Sequence, residues 1–274
     1  MSRLKISAIS YLNTAPLMWD FEHGAAGADF DIAYTIPSAC AEALREGTAD
    51  IGIIPAAAYA TIPNLVIIPD VAIASRQAVR SIILVSQVPV EQIRTVALDT
   101  SSMTSVALAK ILFANWLGGA REYAGMAPDL DAMLGACDAA LLIGDPALQV
   151  DRTRYVTLDL AEEWVARTGK SFVFAFWAIR KQALAGRNGA EIAEVFQKSR
   201  DHGLAPKNLE AIAQEWASRL GITVEAIRDY LTQNIHYYLD PPCLEGLELY
   251  YRLGVEIGAL PRAPGLSFLQ GIPD

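Results

Sequence analysis

Residues 30–55, FDIAYTIPSACAEALREGTADIGIIP, read as strand, helix, strand. Residues 30–35 form a short apolar strand. Pro37 opens a helix that Gly47 closes, because proline suits the first helical position and glycine the left-handed stop. Residues 50–54 are a buried type of strand, and Pro55 leads into a short helix to about Ala60. Working outward, residues 5–9 are the first strand and residues 15–23 a helix ending near Gly24. Residues 66–74 and 79–86 are further strands. Strands alternating with helices from the start predict a mostly parallel sheet.

Near residues 87–92 the pattern resets and a second series begins. Residues 95–98 are a strand, and residues 101–117 a strong helix closed by Gly118 and Gly119. Residues 139–143, 155–158 and 171–179 read as strands and 161–168 as a helix. Residues 182–258 are helical, with breaks at 203–206, 221–222 and 240–242. Residues 260–274, rich in Pro and Gly, are expected to form a surface arm. The expected architecture is a two-lobed α/β fold, with mixed, mostly parallel sheets, an interlobe cleft and a helical C-terminal region. Residues 1–87 and 177–274 make a discontinuous lobe one, and residues 88–176 make lobe two. The chain would cross between lobes near residues 86–90 and 172–179. No internal repeat shows in the sequence.

The 274 residues are 53% hydrophobic and 19% charged, enough for real cores and unlike a disordered chain. A net charge of −9 argues against nucleic-acid binding, which needs a basic face, but leaves room for an anionic ligand held by local donors. Cys40, Cys137 and Cys243 are far apart without CxxC spacing and read as reduced thiols. His23, His202 and His236 are equally scattered, so no metal site is expected. No stretch resembles a signal-peptide core, and none reaches the roughly 20 apolar residues of a membrane helix. The expectation is a cytoplasmic protein with no membrane partner and no nucleic-acid partner.

Ligands of open α/β sheets bind beyond the carboxyl ends of the strands. Five polar segments fall there: residues 10–14, Pro37 with Ser38, Pro55 with Ala56, residues 99–105, and Gly144 with Asp145 and Pro146. The densest is DTSSMTS, residues 99–105. A helix start favours an anion through its free N–H groups and dipole. One N-cap needs one hydroxyl, whereas Thr100, Ser101, Ser102, Thr104 and Ser105 crowd together, which points to carboxylate binding rather than capping alone. Ser10, Tyr11 and Asn13 stand at the end of the first strand. Asn13 can donate and accept together and so orient a substrate hydroxyl or carboxylate; a turn asparagine bonded to its own backbone is the equal alternative. Arg80, at the start of an apolar strand, offers a bidentate partner for a carboxylate, or an edge-strand salt bridge. Asp145 suits a helix cap more than a catalytic acid, and Trp177 the core more than a substrate platform; both remain candidate substrate contacts.

SYLNTAP has no glycine and fits neither a dinucleotide nor a P-loop fingerprint. There is no GxSxG, and no histidine falls in a cleft segment. Any base is therefore a carboxylate, a water or the substrate itself.

The strings SYLNTAPL (10–17), DIGIIP (50–55), PDVAIAS (69–75), VRSIILVS (79–86), VALDTSSMTSVAL (96–108), LLIGDPAL (141–148) and GKSFVFAFWAIR (169–180) together resemble the chorismate dehydratases of menaquinone biosynthesis by the futalosine route. The tail strings IHYYL (235–239) and LEGLELYYRLG (244–254) are similar but less specific. The resemblance implies a type II periplasmic-binding-protein-like fold, a small dicarboxylate substrate (chorismate) between the lobes, and no cofactor. It implies elimination of water, with Asn13 as the catalytic residue and the hydroxyls of residues 101–105 holding a carboxylate. Met103 stands where the family carries a basic residue, and Ala56 where it carries a serine, so Ala56 is not a candidate contact. The alternatives are a solute-binding protein for a small carboxylate, the sibling 1,4-dihydroxy-6-naphthoate synthase (for which a cleft histidine is expected), and, more weakly, a transcription-factor effector domain.

Overall fold

The computed structural model describes residues 3–270. The chain opens with β1 (Leu4–Ile9), a 3-10 segment (Leu12–Met18) and α1 (Trp19–His23), then β2 (Phe30–Thr35), α2 (Pro37–Glu46), β3 (Ile51–Pro55), α3 (Ala56–Tyr59) and β4 (Leu65–Ser75). The middle of the chain contains β5 (Ile82–Ser86), β6 (Thr95–Asp99), α4 (Thr104–Asn115), β7 (Glu122–Met126), α5 (Leu130–Ala136), β8 (Ala139–Ile143), α6 (Gly144–Leu148), β9 (Val156–Asp159) and α7 (Leu160–Thr168). β10 (Phe172–Arg180), α8 (Gly189–Gly203), α9 (Pro206–Leu220), α10 (Val224–Asp229), a π-helical turn (Tyr230–Asn234) and α11 (Pro241–Glu256) complete it.

Two five-stranded sheets form, ordered β2-β1-β3-β10-β4 and β7-β6-β8-β5-β9. Both follow one plan. The first of each unit's own strands lies between the second and the third, in parallel pairing. A strand from across the chain is then inserted antiparallel: β10 in one sheet, β5 in the other. The repeat lies in strand order and not in residues, which is why it leaves no trace in the sequence. The expected divisions at residues 87 and 177 shift: β5 pairs in the second sheet, and all of β10 pairs in the first. The sheets therefore divide within residues 76–81 and 169–171. β3, β5 and β8 are buried along their whole length, as central strands covered on both faces must be.

Three local expectations change. Residues 15–23 do not form one helix, because Pro16, which has no N–H to donate, lies in a 3-10 segment that runs ahead of α1. The helix expected from residue 101 begins at Thr104. The Asp99 carboxylate takes the N–H and hydroxyl of Ser101, and the Ser102 N–H goes to the Asp99 carbonyl, so these residues close a turn instead. Sequence reading passed over β7 and α5; β7 is an edge strand with no fully buried residue. Residues 260–270 run along the surface as expected and are pinned to β4, while residues 271–274 lie outside the described residues. Ile67 donates to the Ser267 carbonyl and Leu269 donates back to Ile67, with Leu269 buried. No helix among the described residues is long and apolar enough to cross a membrane.

α8 supports the 3-10 segment. The fully buried Ser199 donates to the Leu17 carbonyl (2.8 Å) and accepts the Asp20 N–H (3.0 Å). Ser199→Ala removes both bonds from the buried end of this segment and should cost about 1–3 kcal/mol, read as a lower midpoint in urea unfolding with an unchanged slope.

Candidate active site

Where the strand ends of the two sheets face each other there is a cleft that opens to solvent. Its apolar walls are Ile9, Ile73, Ile82, Ile143 and Phe174, from five strands of both sheets. Its polar lining comes from Tyr11 and Asn13 after β1, and from Ser102, Thr104 and Ser105 at the start of α4, with Met103 between them and Gly144 opposite. Six expected site residues thus meet: Tyr11, Asn13, Ser102, Thr104, Ser105 and Gly144.

The others sit elsewhere. Ser10 is exposed and opens onto a separate groove with Tyr34, Trp216 and Arg219. Thr100 is exposed, its N–H bonded to Met126 on the edge strand β7. Ser38 contributes its backbone, its N–H meeting the Ser101 carbonyl at 3.1 Å, while Pro37 lines the cleft. Arg80 is not in a strand; it has a left-handed backbone (φ 65°) in the crossing before β5 and is not among the cleft's lining residues. Asp159 and Arg152 hold its N–H and carbonyl. Trp177 is fully buried in β10, packed at 4.9 Å on Phe196 of α8, and belongs to the core. Thr104 reaches the cleft, but its hydroxyl is already used. It donates to the Phe174 carbonyl (3.0 Å) and accepts the Ala57 N–H (3.1 Å), tying the sheets together.

Ser101 is buried behind the lining and connects Tyr11 to Asp99. The Tyr11 hydroxyl meets the Ser101 side chain, which donates to Asp99 Oδ1 at 2.6 Å. Asp99 is fully buried, and its Oδ2, toward the Ile143 backbone, completes no hydrogen bond. Burial pushes this carboxyl above its ordinary range, while the Ser101 hydroxyl and N–H draw it partly back. Asp145 accepts the Leu12 N–H at 3.0 Å, so it caps the 3-10 segment of the other lobe. Burial raises its pKa to about 6, against the lowering effect of that bond.

Sequence reasoning missed Tyr230. From the π-helical turn its buried hydroxyl donates to Ser81 (2.8 Å) and meets the Asn13 side chain. Burial holds this phenol well above the usual range. No local pattern marks it, since a tyrosine in a helical stretch reads as core.

No Lys, Arg or His is among the cleft's lining residues. His23 stacks on Trp19, His202 pairs with Asp20, and His236 pairs with Asp240. The His236–Asp240–Cys243 cluster has structural work: Asp240 caps α11 through the Cys243 N–H and also pairs with Arg76, a fixed positive charge beside it. Positive potential in the cleft comes instead from α4. Its first repeating bond runs from Ala107 to Met103, leaving the N–H groups of the first turn for a ligand.

Two substitutions test this geometry. A raised folded-state pKa makes the Asp145 charge a cost that grows between pH 3.8 and about 6 and is complete above it. Asp145→Asn should therefore stabilise the fold at pH 7.5 by on the order of 2 kcal/mol, with the gain vanishing near pH 4 in thermal unfolding. Gly144 has φ 64°, and a Cβ there would lie 2.7 Å from the Tyr11 ring. Gly144→Ala should lower the melting temperature and displace Tyr11, seen as a changed tyrosine fluorescence or ring NMR signal.

A family model described as menaquinone biosynthesis matches residues 4–256. The chorismate dehydratase of Thermus thermophilus is 29% identical over 272 residues, covering 93% of this chain and 94% of that protein. Among solved structures, protein AF1704 from Archaeoglobus fulgidus superposes with a TM-score of 0.76 at 16% identity, over 94% of this chain and 99% of that one. The periplasmic aliphatic sulphonate binding protein SsuA from Escherichia coli gives 0.67 at 18% identity, over 100% of this chain and 95% of that one. These likenesses show the fold, a two-lobed periplasmic-binding-protein-like α/β architecture. The match across nearly all of the chain shows that it belongs to the menaquinone-biosynthesis family.

Proposed function

We propose that this chain is a chorismate dehydratase, a cytoplasmic hydro-lyase that converts chorismate to 3-[(1-carboxyvinyl)oxy]benzoate for the futalosine route. The observation that carries the reading is a cleft with neutral donors and apolar walls but no cationic or imidazole side chain in its lining. Such a cleft suits a small dicarboxylate whose reaction needs placement more than a strong protein base. Similarity to the Thermus dehydratase supports the same substrate.

The reaction is a 1,2-elimination. The ring carbon bearing the enolpyruvyl ether loses its proton, the C–O bond to the neighbouring hydroxyl breaks, and the electron pair of the C–H bond completes an aromatic ring. Proton and hydroxide leave together as water, so there is no change of oxidation level. In this reading one carboxylate meets the start of α4, with its first-turn N–H groups and the Ser102 and Ser105 hydroxyls. Asn13 orients the leaving hydroxyl, and its amide is steadied by Tyr230. The enolpyruvyl carboxylate takes the proton and passes it to the departing hydroxyl oxygen, which leaves as water.

The purified chain incubated with chorismate should yield an aromatic product lighter by one water, followed by mass spectrometry. Asn13→Ala should lower kcat about 100-fold or more while the melting temperature stays within a few degrees. Near-normal turnover by this variant would remove Asn13 from the chemistry. Tight binding of chorismate with no turnover by the wild type would favour a solute-binding protein, a role this fold also serves.

A further inference from the structure

The start of the 3-10 segment is built by both sheets at once. Tyr11 provides no side-chain cap for it, and the Leu12 N–H is taken by Asp145 Oδ1 of the opposite lobe at 3.0 Å. One residue earlier, the Tyr11 ring lies on Gly144, where only the missing Cβ leaves room. One residue later, Asn13 lines the cleft and meets the Tyr230 hydroxyl. The Asp145 bond is thus one residue from the Asn13 amide, and it exists only while the strand ends of the two lobes are together. Asp145 is not itself among the cleft's lining residues.

We propose that Asp145 is a positioning residue: by capping Leu12 across the cleft, it sets the Asn13 amide when the lobes close and so couples closure to the elimination. This rests on the chorismate dehydratase reading and adds to it a residue that acts without touching substrate. A carboxylate is a stronger acceptor for a backbone N–H than a neutral group, so the Leu12 bond offsets part of what burial costs the charge. The titratable groups facing it are Tyr11, on the loop after β1, and Tyr230, on the π-helical turn. Burial raises both phenols, so each keeps its proton at neutral pH. Asp145, with its pKa near 6, is the member of this group that changes charge as the solution is acidified. Protonation weakens the cap, and turnover should fall as pH drops through that value.

The test is steady-state turnover of chorismate from roughly pH 5 to 8.5 by the wild type, Asp145→Asn and Asp145→Ala, with hydrogen exchange of the Leu12 amide measured on all three. Displacing a positioned group by about 1 Å can cost about 100-fold. Asp145→Ala should lower kcat by about that factor and change KM by less than about threefold. Asp145→Asn keeps an acceptor oxygen. It should retain kcat within about tenfold, lose the acid limb that the wild type shows near pH 6, and keep Leu12 exchange slow. Exchange at Leu12 should accelerate in Asp145→Ala. Wild-type kcat in Asp145→Ala, an acid limb that persists in Asp145→Asn, or equal Leu12 exchange in all three proteins would each overturn the proposal. The exchange measurement needs no substrate. A wild type inert toward chorismate therefore defeats the functional reading, whereas unchanged Leu12 exchange defeats this one.

Discussion

The hydrogen bond from the Leu12 N–H to Asp145 joins two sheets that the chain, among the described residues, connects twice. The bonds around it do the same work. Ser38 donates to the Ser101 carbonyl, Ala57 donates to the Thr104 hydroxyl, and that hydroxyl donates to Phe174. Tyr250 of α11 adds a bond to the Thr104 carbonyl. These contacts hold strand ends distant in sequence against one another, and the cleft exists because of them. The polar residues of the site are therefore aligned by the same bonds that hold the strand ends together.

The cleft's electrostatics follow from what burial does to charge. Two carboxylates lie close to the place proposed for a dianionic substrate, and neither is in the lining. Asp99 is behind Ser101, and Asp145 caps Leu12. Burial raises both carboxyls, which eases proton uptake and limits their repulsion of an anion. The donors that remain are backbone N–H groups, hydroxyls and one amide, fixed in direction before any ligand arrives. Neutral, preoriented donors stabilise charge where it forms without a reorganisation cost.

The strands and their alternation with helices were legible because they follow hydrophobic period and turn chemistry; β8 runs over the residues read from sequence, 139–143. What sequence could not settle was direction. Trp177 and Phe174 share one apolar strand and, three residues apart, fall on opposite faces, but β10 is buried on both, so its pattern does not say which face meets the cleft. Phe174 reaches the cleft and Trp177 the core. The apolar pattern puts Arg80 in a strand that in fact begins two residues later, and its left-handed backbone belongs to the crossing. The run of hydroxyls reads as one helix start, yet Asp99 draws Ser101 and Ser102 into a turn, and the five side chains part company. Tyr230 and the capping role of Asp145 depend on contacts across more than a hundred residues, for which a single sequence holds no local signal.

The decisive measurement is a crystal structure with 3-[(1-carboxyvinyl)oxy]benzoate bound. The product should lie between the sheets, with one carboxylate on the first turn of α4 at Ser102 and Ser105, its ring between the isoleucine walls, and the Asn13 amide beside the ring carbon that carried the lost hydroxyl. Product bound in the groove beside Trp216 and Arg219, or a cleft that stays empty at saturating product, would contradict it.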